Sequence, residues 1–262
     1  MLLKDKKGLI LGVANKHSIA WAIAQAVARE GGQIAFTYQP DDKGNLERRV
    51  RDLAAELPPA NVGPIMSCDV GSDESIDALF AVLEKAWGQL DFLVHAVAFA
   101  PREELAGTYV NSTRAGYTTA QMVSAYSLPA VVRRCVPLFE KAGGGSVVTL
   151  TYLGSERVVP NYNTMGVAKA ALEASVRYLA SDLGEKNIRV NAISAGPIKT
   201  LSASGISDFS SILEHMRNRA PLRRNVEREE VGEATLFLLS KMASGITGET
   251  IFVDCGYHIM GI

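Results

Sequence analysis

Short apolar, β-branched runs alternate with longer stretches whose apolar residues recur every three or four positions, and the alternation continues along the whole chain. Residues 8–13 (GLILGV) read as a buried strand. From Ser18 onward, Ile19, Ala22, Ile23, Ala26 and Val27 fall at helical spacing until Gly31-Gly32 stops them. A second strand is expected at 33–38 (QIAFTY), followed by a polar helix over 45–57 that ends at Pro58-Pro59. The pattern then predicts a strand at 64–69, a helix at 73–87 and a strand at 91–97. A long helical region covers 115–142, where Pro129 and Pro137 are expected to kink or divide it. Strands at 146–151 and 188–193 flank a helix over 161–183. Residues 194–220 read as loop and short helix, 227–240 as a helix and 249–253 as the last strand.

Strands separated by helices at this spacing imply right-handed crossovers and a parallel sheet covered on both faces. The expected fold is α/β: one doubly wound domain over residues 1–262, with about seven strands and helices on both faces. Composition agrees, since 262 residues with 47% hydrophobic and 21% charged positions suffice for one large core. A net charge of −1 gives no basic excess for nucleic acid or an anionic membrane. Cys68, Cys135 and Cys255 are scattered, as are His17, His95, His215 and His258, so neither a disulfide framework nor a metal cluster is expected. The charged start lacks a following apolar h-region, and no apolar run approaches the roughly 18–20 residues that span a bilayer. A cytoplasmic location is the expectation.

In such sheets a ligand lies beyond the carboxyl ends of the strands, so the residues following each strand are the candidates. After the first strand, Gly12 lets the backbone turn close to a ligand, and the helix starting near Ser18 and Ile19 offers unpaired N–H groups to a pyrophosphate. The second and third glycines of G-x-G-x-x-G are absent. Gln39 after the second strand faces the position of an adenosine ribose, and Asp41-Asp42 would repel a 2′-phosphate, which favours NAD(H) over NADP(H). A turn glutamine is the alternative. Asp69, followed by Val70, is placed to accept from an adenine amino group or simply to cap a turn. Ala96, Val97, Ala98 and Ala100 leave room for a flat ring system, or pack as small apolar residues.

The chemistry concentrates after the fifth strand. Tyr152 follows at once, and Tyr162 and Lys169 stand seven apart, close to two helical turns, on one face of a helix. A nearby ammonium stabilises a phenolate and strengthens a phenol as donor, so such a pair suits an oxyanion-stabilising or proton-donating role. After the sixth strand, Gly196-Pro197 makes a rigid turn whose following backbone groups suit a carboxamide. Residues 201–209 (LSASGISDF) read as a mobile flap or as a long solvent loop, within a broader flap region around 198–220.

The chain resembles the short-chain dehydrogenase/reductase superfamily, with its Rossmann-type sheet, and within it the NADH-dependent enoyl-acyl-carrier-protein reductases of bacterial fatty-acid synthesis. The residues that carry the resemblance are Gly12 with Ser18-Ile19-Ala20, Phe36-Thr37-Tyr38-Gln39, Cys68-Asp69-Val70, Tyr152 through Arg157, Pro160-Asn161-Tyr162-Asn163, Met165-Gly166, Ala168-Lys169-Ala170, and Arg189-Val190-Asn191 with Ala195 through Ile198. The spacing is the specific element. Ketone-reducing members use Tyr-x3-Lys, which occurs nowhere here, whereas Tyr162 and Lys169 form the Tyr-x6-Lys of the enoyl reductases, with a second tyrosine ten residues earlier.

The resemblance implies hydride transfer from NADH to the β-carbon of a trans-2-enoyl thioester, the last reductive step of type II fatty-acid elongation. Tyr162 would donate to the thioester oxygen, Lys169 would hold the nicotinamide ribose, and Tyr152 would be a second active-site tyrosine. Val97, Ile198, Lys199, Thr200, Leu201 and Ser202 would contact the cofactor together with Gly12, Ser18, Ile19, Gln39, Asp69 and Val70, and Ala100 would meet the acyl substrate. The resemblance also implies a homotetramer and an acyl carrier protein as substrate carrier. That carrier is acidic in general, so a basic docking patch is expected, with Arg133-Arg134 and Arg223-Arg224 as contributors. Ala98 where glycine is common, Cys255 after Asp254 and Ser202 in the flap are departures from the family pattern, and none touches the Tyr/Lys apparatus. A carbonyl reductase of the same superfamily and a nucleotide-binding regulator are the competing readings.

Overall fold

The computed structural model describes residues 1–200 and 209–261. Seven strands, β1 (Lys7–Leu11), β2 (Gln33–Tyr38), β3 (Val62–Ser67), β4 (Phe92–His95), β5 (Gly145–Thr151), β6 (Ile188–Ala195) and β7 (Thr250–Val253), form one sheet in the order β3-β2-β1-β4-β5-β6-β7. Every neighbouring pair is parallel. The helices are α1 (Ile19–Arg29), α2 (Asn45–Ala54), α3 (Asp73–Trp87), α4 (Arg114–Gln121), α5 (Ser127–Lys141), α6 (Asn163–Leu183), α7 (Phe209–Arg219) and α8 (Arg228–Leu239).

Alternation along β1 shows how the layers arise. Ile10 points into a core shared with α1, α2 and α8, while Leu9 and Leu11 point into the opposite core with α3, α5 and α6. A strand buried on both sides needs apolar residues at consecutive positions, which is why GLILGV reads as an unbroken run. The strand order reverses between β1 and β4, so the chain leaves the sheet in opposite directions there and opens a crevice at the carboxyl edge.

Boundaries follow local chemistry. The helix predicted at 73–87 is matched residue for residue, because Ser72 caps it by accepting from the Ser75 N–H and Gly88 ends it in a left-handed conformation (φ 67°). The expected proline break falls elsewhere. The α-period is interrupted at Met122–Tyr126, a π-helical turn just before Pro129. Pro129 cannot donate to the carbonyl four residues back, and the wider turn absorbs that loss. Pro137 sits inside α5 without ending it. It lies on the exposed side of the helix, as does Arg133 four residues back, where a missing backbone donor costs least.

Candidate active site

Gly12 leaves β1 with φ +100°, and a β-carbon on it would run into the Ala96 carbonyl at the end of β4. Only glycine combines that dihedral with that approach. The next residues form a loop organised by Ser18, whose hydroxyl oxygen accepts from the N–H groups of Ala14 (3.1 Å) and Asn15 (3.0 Å). Arg228 clasps the same loop from α8 by donating to the Lys16 carbonyl (2.7 Å). Behind it, α1 begins at Ile19, with first-turn N–H groups that have no partner inside the helix. Together these make a tight backbone cradle and a positive helix end, which fit the pyrophosphate of a dinucleotide.

The crevice is a cleft of about 590 Å³. It brings together Gly12, Ser18, Ile19, Val97, Ala100, Tyr152, Tyr162, Lys169, Ile198 and Thr200, drawn from five separate stretches of the chain. Other expected residues are not in its walls. Gln39 is exposed just past β2. The Asp69 carboxylate accepts from the Gly71 N–H (2.9 Å), the turn-capping alternative, and the Val70 side chain is buried in the core beside α3. Asp41 accepts from the N–H groups of Asn45 (3.0 Å) and Leu46 (3.1 Å) at the start of α2, a favourable place for its charge. Lys199 is exposed and lines a second, more polar cavity beyond Ile198. Leu201, Ser202 and most of the expected 201–209 flap lie outside the described residues.

Tyr162 and Lys169 do converge, though not as two turns of one helix. Tyr162 is the residue preceding α6, with φ −110° and ψ −25°. It is held between Asn161 (φ 62°) and Asn163 (φ 32°), a residue type that tolerates positive φ better than most. Asn163 also donates to the Gly107 carbonyl (3.2 Å), tying the helix start to the 102–111 strap. Gly166 lets the 153–155 turn press on α6, since a β-carbon there would meet the Gly154 carbonyl. The Tyr152 and Tyr162 rings meet edge to face, centroids 5.0 Å apart.

Lys169 is 5% exposed, and its ammonium donates to the Leu150 carbonyl (2.7 Å) at the end of β5. Burial brings its pKa down to about 8, while Glu173 one turn further along α6 pulls the other way. The pKa of Tyr162 is raised, chiefly by burial and then by Tyr152 and Glu173, so the phenol is held protonated, the form a hydrogen-bond donor needs. Burial likewise pushes Tyr152 up to about 12.

Several residues of the site escaped the sequence reading. Phe99, Leu105, Val159, Met165 and Ile212 give the cleft an apolar wall suited to a hydrocarbon chain. Thr151 at the end of β5 donates to the Glu173 carboxylate (2.6 Å). His95, 1% exposed, places its ring nitrogens against the Thr149 and Ser127 hydroxyls, each at 2.9 Å. Glu173 carried a legible signal, standing four residues from Lys169 on the apolar stripe of a predicted helix. The apolar wall carried none, because its members come from separate stretches, Phe99 and Val159 from loops, Leu105 from a short turn, Met165 from α6 and Ile212 from α7, which only the fold brings together. The arginine pairs expected to form a docking patch are engaged. Arg134 binds Asp73 (2.9 Å) and Asp77 (2.7 Å), Arg133 lies 3.5 Å from Asp73, and Arg224 binds Glu230 (2.6 Å).

Comparison with known proteins agrees with this geometry. The family model for enoyl-(acyl carrier protein) reductase matches residues 12–258. The chain is 52% identical to an enoyl-[acyl-carrier-protein] reductase [NADH] of Rhizobium meliloti, over 100% of this chain and 93% of that one. It is 51% identical to its Bacillus subtilis counterpart, over 98% and 97%. The Bacillus cereus enoyl-acyl carrier protein reductase, solved with NADP+ and an indole naphthyridinone, superposes with a TM-score of 0.95 at 50% identity, covering 100% of this chain and 99% of that one. The Anaplasma phagocytophilum enzyme, solved with NAD, gives 0.94 at 50% identity, over 100% and 97%. With the Tyr-x6-Lys residues seated in the switch-point cleft and these likenesses running the length of the chain, the protein belongs to the enoyl-(acyl carrier protein) reductase family of NADH-dependent oxidoreductases.

Proposed function

We propose that this member of the enoyl-acyl-carrier-protein reductases acts with Tyr162 as hydrogen-bond donor to the thioester oxygen and Lys169 as holder of the nicotinamide ribose. The observation that carries this reading is that both side chains, buried and seven residues apart, line one cleft with Gly12 and the start of α1. NADH, when bound there, supplies the hydride taken up by the β-carbon of the enoyl thioester. The residues of the chain do the rest. Gly12 and the first turn of α1 receive the pyrophosphate, and Lys169 presents an ammonium already fixed on the Leu150 carbonyl. Tyr162, kept protonated by burial, directs a neutral O–H at the oxygen on which enolate charge develops. That interaction strengthens as charge accumulates, so it lowers the barrier more than it tightens substrate binding. Tyr152 packs against the Tyr162 ring and limits where the thioester can sit.

The remaining assignments rest on the family resemblance. The substrate is presented by acyl carrier protein, Ala100 and the apolar wall receive the acyl chain, and the chain works as a cytoplasmic homotetramer of single-domain subunits. No helix among the described residues is long and apolar enough to cross a membrane. The deciding experiment is NADH oxidation with crotonyl thioester, carried by coenzyme A or by acyl carrier protein, against a panel of ketones. Turnover of the enoyl thioester is expected, and turnover of ketones alone would overturn the reading. Sedimentation velocity reads the oligomeric state.

A further inference from the structure

α6 presents Leu172, Val176, Ala180 and Leu183 to the core, yet the same buried stripe includes Lys169 and Glu173. A carboxylate there is costly unless it is paired or hydrogen-bonded. Among the described residues its hydrogen bond is from the Thr151 hydroxyl at 2.6 Å, at the carboxyl end of β5. It also stands one helical turn from Lys169, near enough to act through the low-dielectric interior without direct contact. Thr151 and Lys169 both line the cleft, whereas Glu173 does not.

We infer that Glu173 is a positioning residue: a buried counter-charge, fixed by Thr151, that keeps the Lys169 ammonium protonated and seated at the cofactor side of the cleft. Few neighbours could replace it. From the elements packed on α6, β4 brings His95, which is neutral in the working range, and the chain after β5 brings Tyr152. The 102–105 turn brings Glu104, committed to Thr113, and α4 brings Arg114 and Tyr117, both exposed. Tyr126 is exposed, Arg133 and Arg134 of α5 face Asp73 and Asp77, and Arg189 of β6 donates to the Ile246 and Leu238 carbonyls. Tyr162 supplies no negative charge while protonated. Among the described residues, Glu173 is therefore the anion available to Lys169.

The inference rests on the assignment of Lys169 to the cofactor, and its test has one arm that needs no cofactor. Competitive amine labelling as a function of pH, with Lys169 identified by peptide mass spectrometry, gives the lysine's titration midpoint in the free protein. Glu173→Gln keeps the volume and an acceptor for Thr151, and it should lower that midpoint by about one unit. NADH affinity should then be near wild type at pH 6 and weaker by about fivefold at pH 8. Glu173→Asp, should the amide variant fold poorly, draws the charge back and should give a smaller drop. An unchanged midpoint in either folded variant overturns the inference, as does a loss of NADH affinity that is uniform with pH. A lowered midpoint with NADH affinity indifferent to pH would instead leave the charge pairing standing and remove the assignment of Lys169 to the cofactor.

Discussion

The Tyr152 and Tyr162 rings meet edge to face, with centroids 5.0 Å apart and planes inclined at 77°. An edge-to-face pair depends on the rings and not on the hydroxyls. Phenylalanine at either position therefore preserves the packing and isolates the role of each O–H. Tyr162→Phe is expected to lower kcat by roughly 10²–10³-fold, the usual loss when one oxyanion donor is removed, with NADH affinity little changed. Tyr152→Phe should cost about tenfold or less, since it takes away a positioning contact. Steady-state kinetics with direct NADH titration separates the two. Equal losses would mean that the tyrosines share the donor role.

Lys169→Ala should act on the other reactant. Removing the ammonium leaves the Leu150 carbonyl without its donor and the cofactor side of the cleft without its cation. NADH affinity should fall by at least about tenfold, as for a lost charge-assisted hydrogen bond. Fluorescence titration of NADH checks this, and an unchanged dissociation constant would remove the lysine from the cofactor site.

Gly12→Ala tests the cradle. A β-carbon at φ +100° is strained by itself, and here it also meets the Ala96 carbonyl. The expected cost is about 2 kcal/mol of stability or more, with weakened NADH binding as the ends of β1 and β4 are forced apart. Denaturant unfolding with and without NADH reads both effects. Wild-type stability would show that the strands yield without cost.

His95 makes stability depend on acid. Burial, and then the Lys169 charge, bring its pKa down to about 3 from an ordinary 6.5. Between those values the unfolded chain binds a proton that the folded one refuses, so stability is full above pH 6.5 and falls as pH drops toward 3. The slope from this group approaches about 1.4 kcal/mol per pH unit. His95→Gln should flatten the dependence between pH 6 and pH 4.5 by about one proton, whatever its effect on absolute stability. An identical slope in urea-unfolding series would place the titration elsewhere.

The residues proposed to hold the cofactor were legible along the chain because local rules place them. A glycine after a buried strand, a serine before a helix and the spacing of Tyr162 to Lys169 all act within a few residues. α3 was matched at both ends because its serine cap and its glycine stop are local as well. Local partners are where the alternatives divide: Asp69 takes the turn-capping one by accepting from the Gly71 N–H, and Asp41 accepts from the first N–H groups of α2 while still presenting a carboxylate after β2.

By itself the sequence determined the order of the elements, the parallel doubly wound sheet and the identity of the Tyr/Lys pair, since hydrophobic period and residue spacing are properties of short stretches. Tertiary structure alone decided the sign of the shift at Tyr162, the Thr151 hydroxyl seated on the Glu173 carboxylate and the apolar wall of the cleft. Each of these arises from side chains far apart in sequence that share a space without water, where burial outweighs any single neighbouring charge.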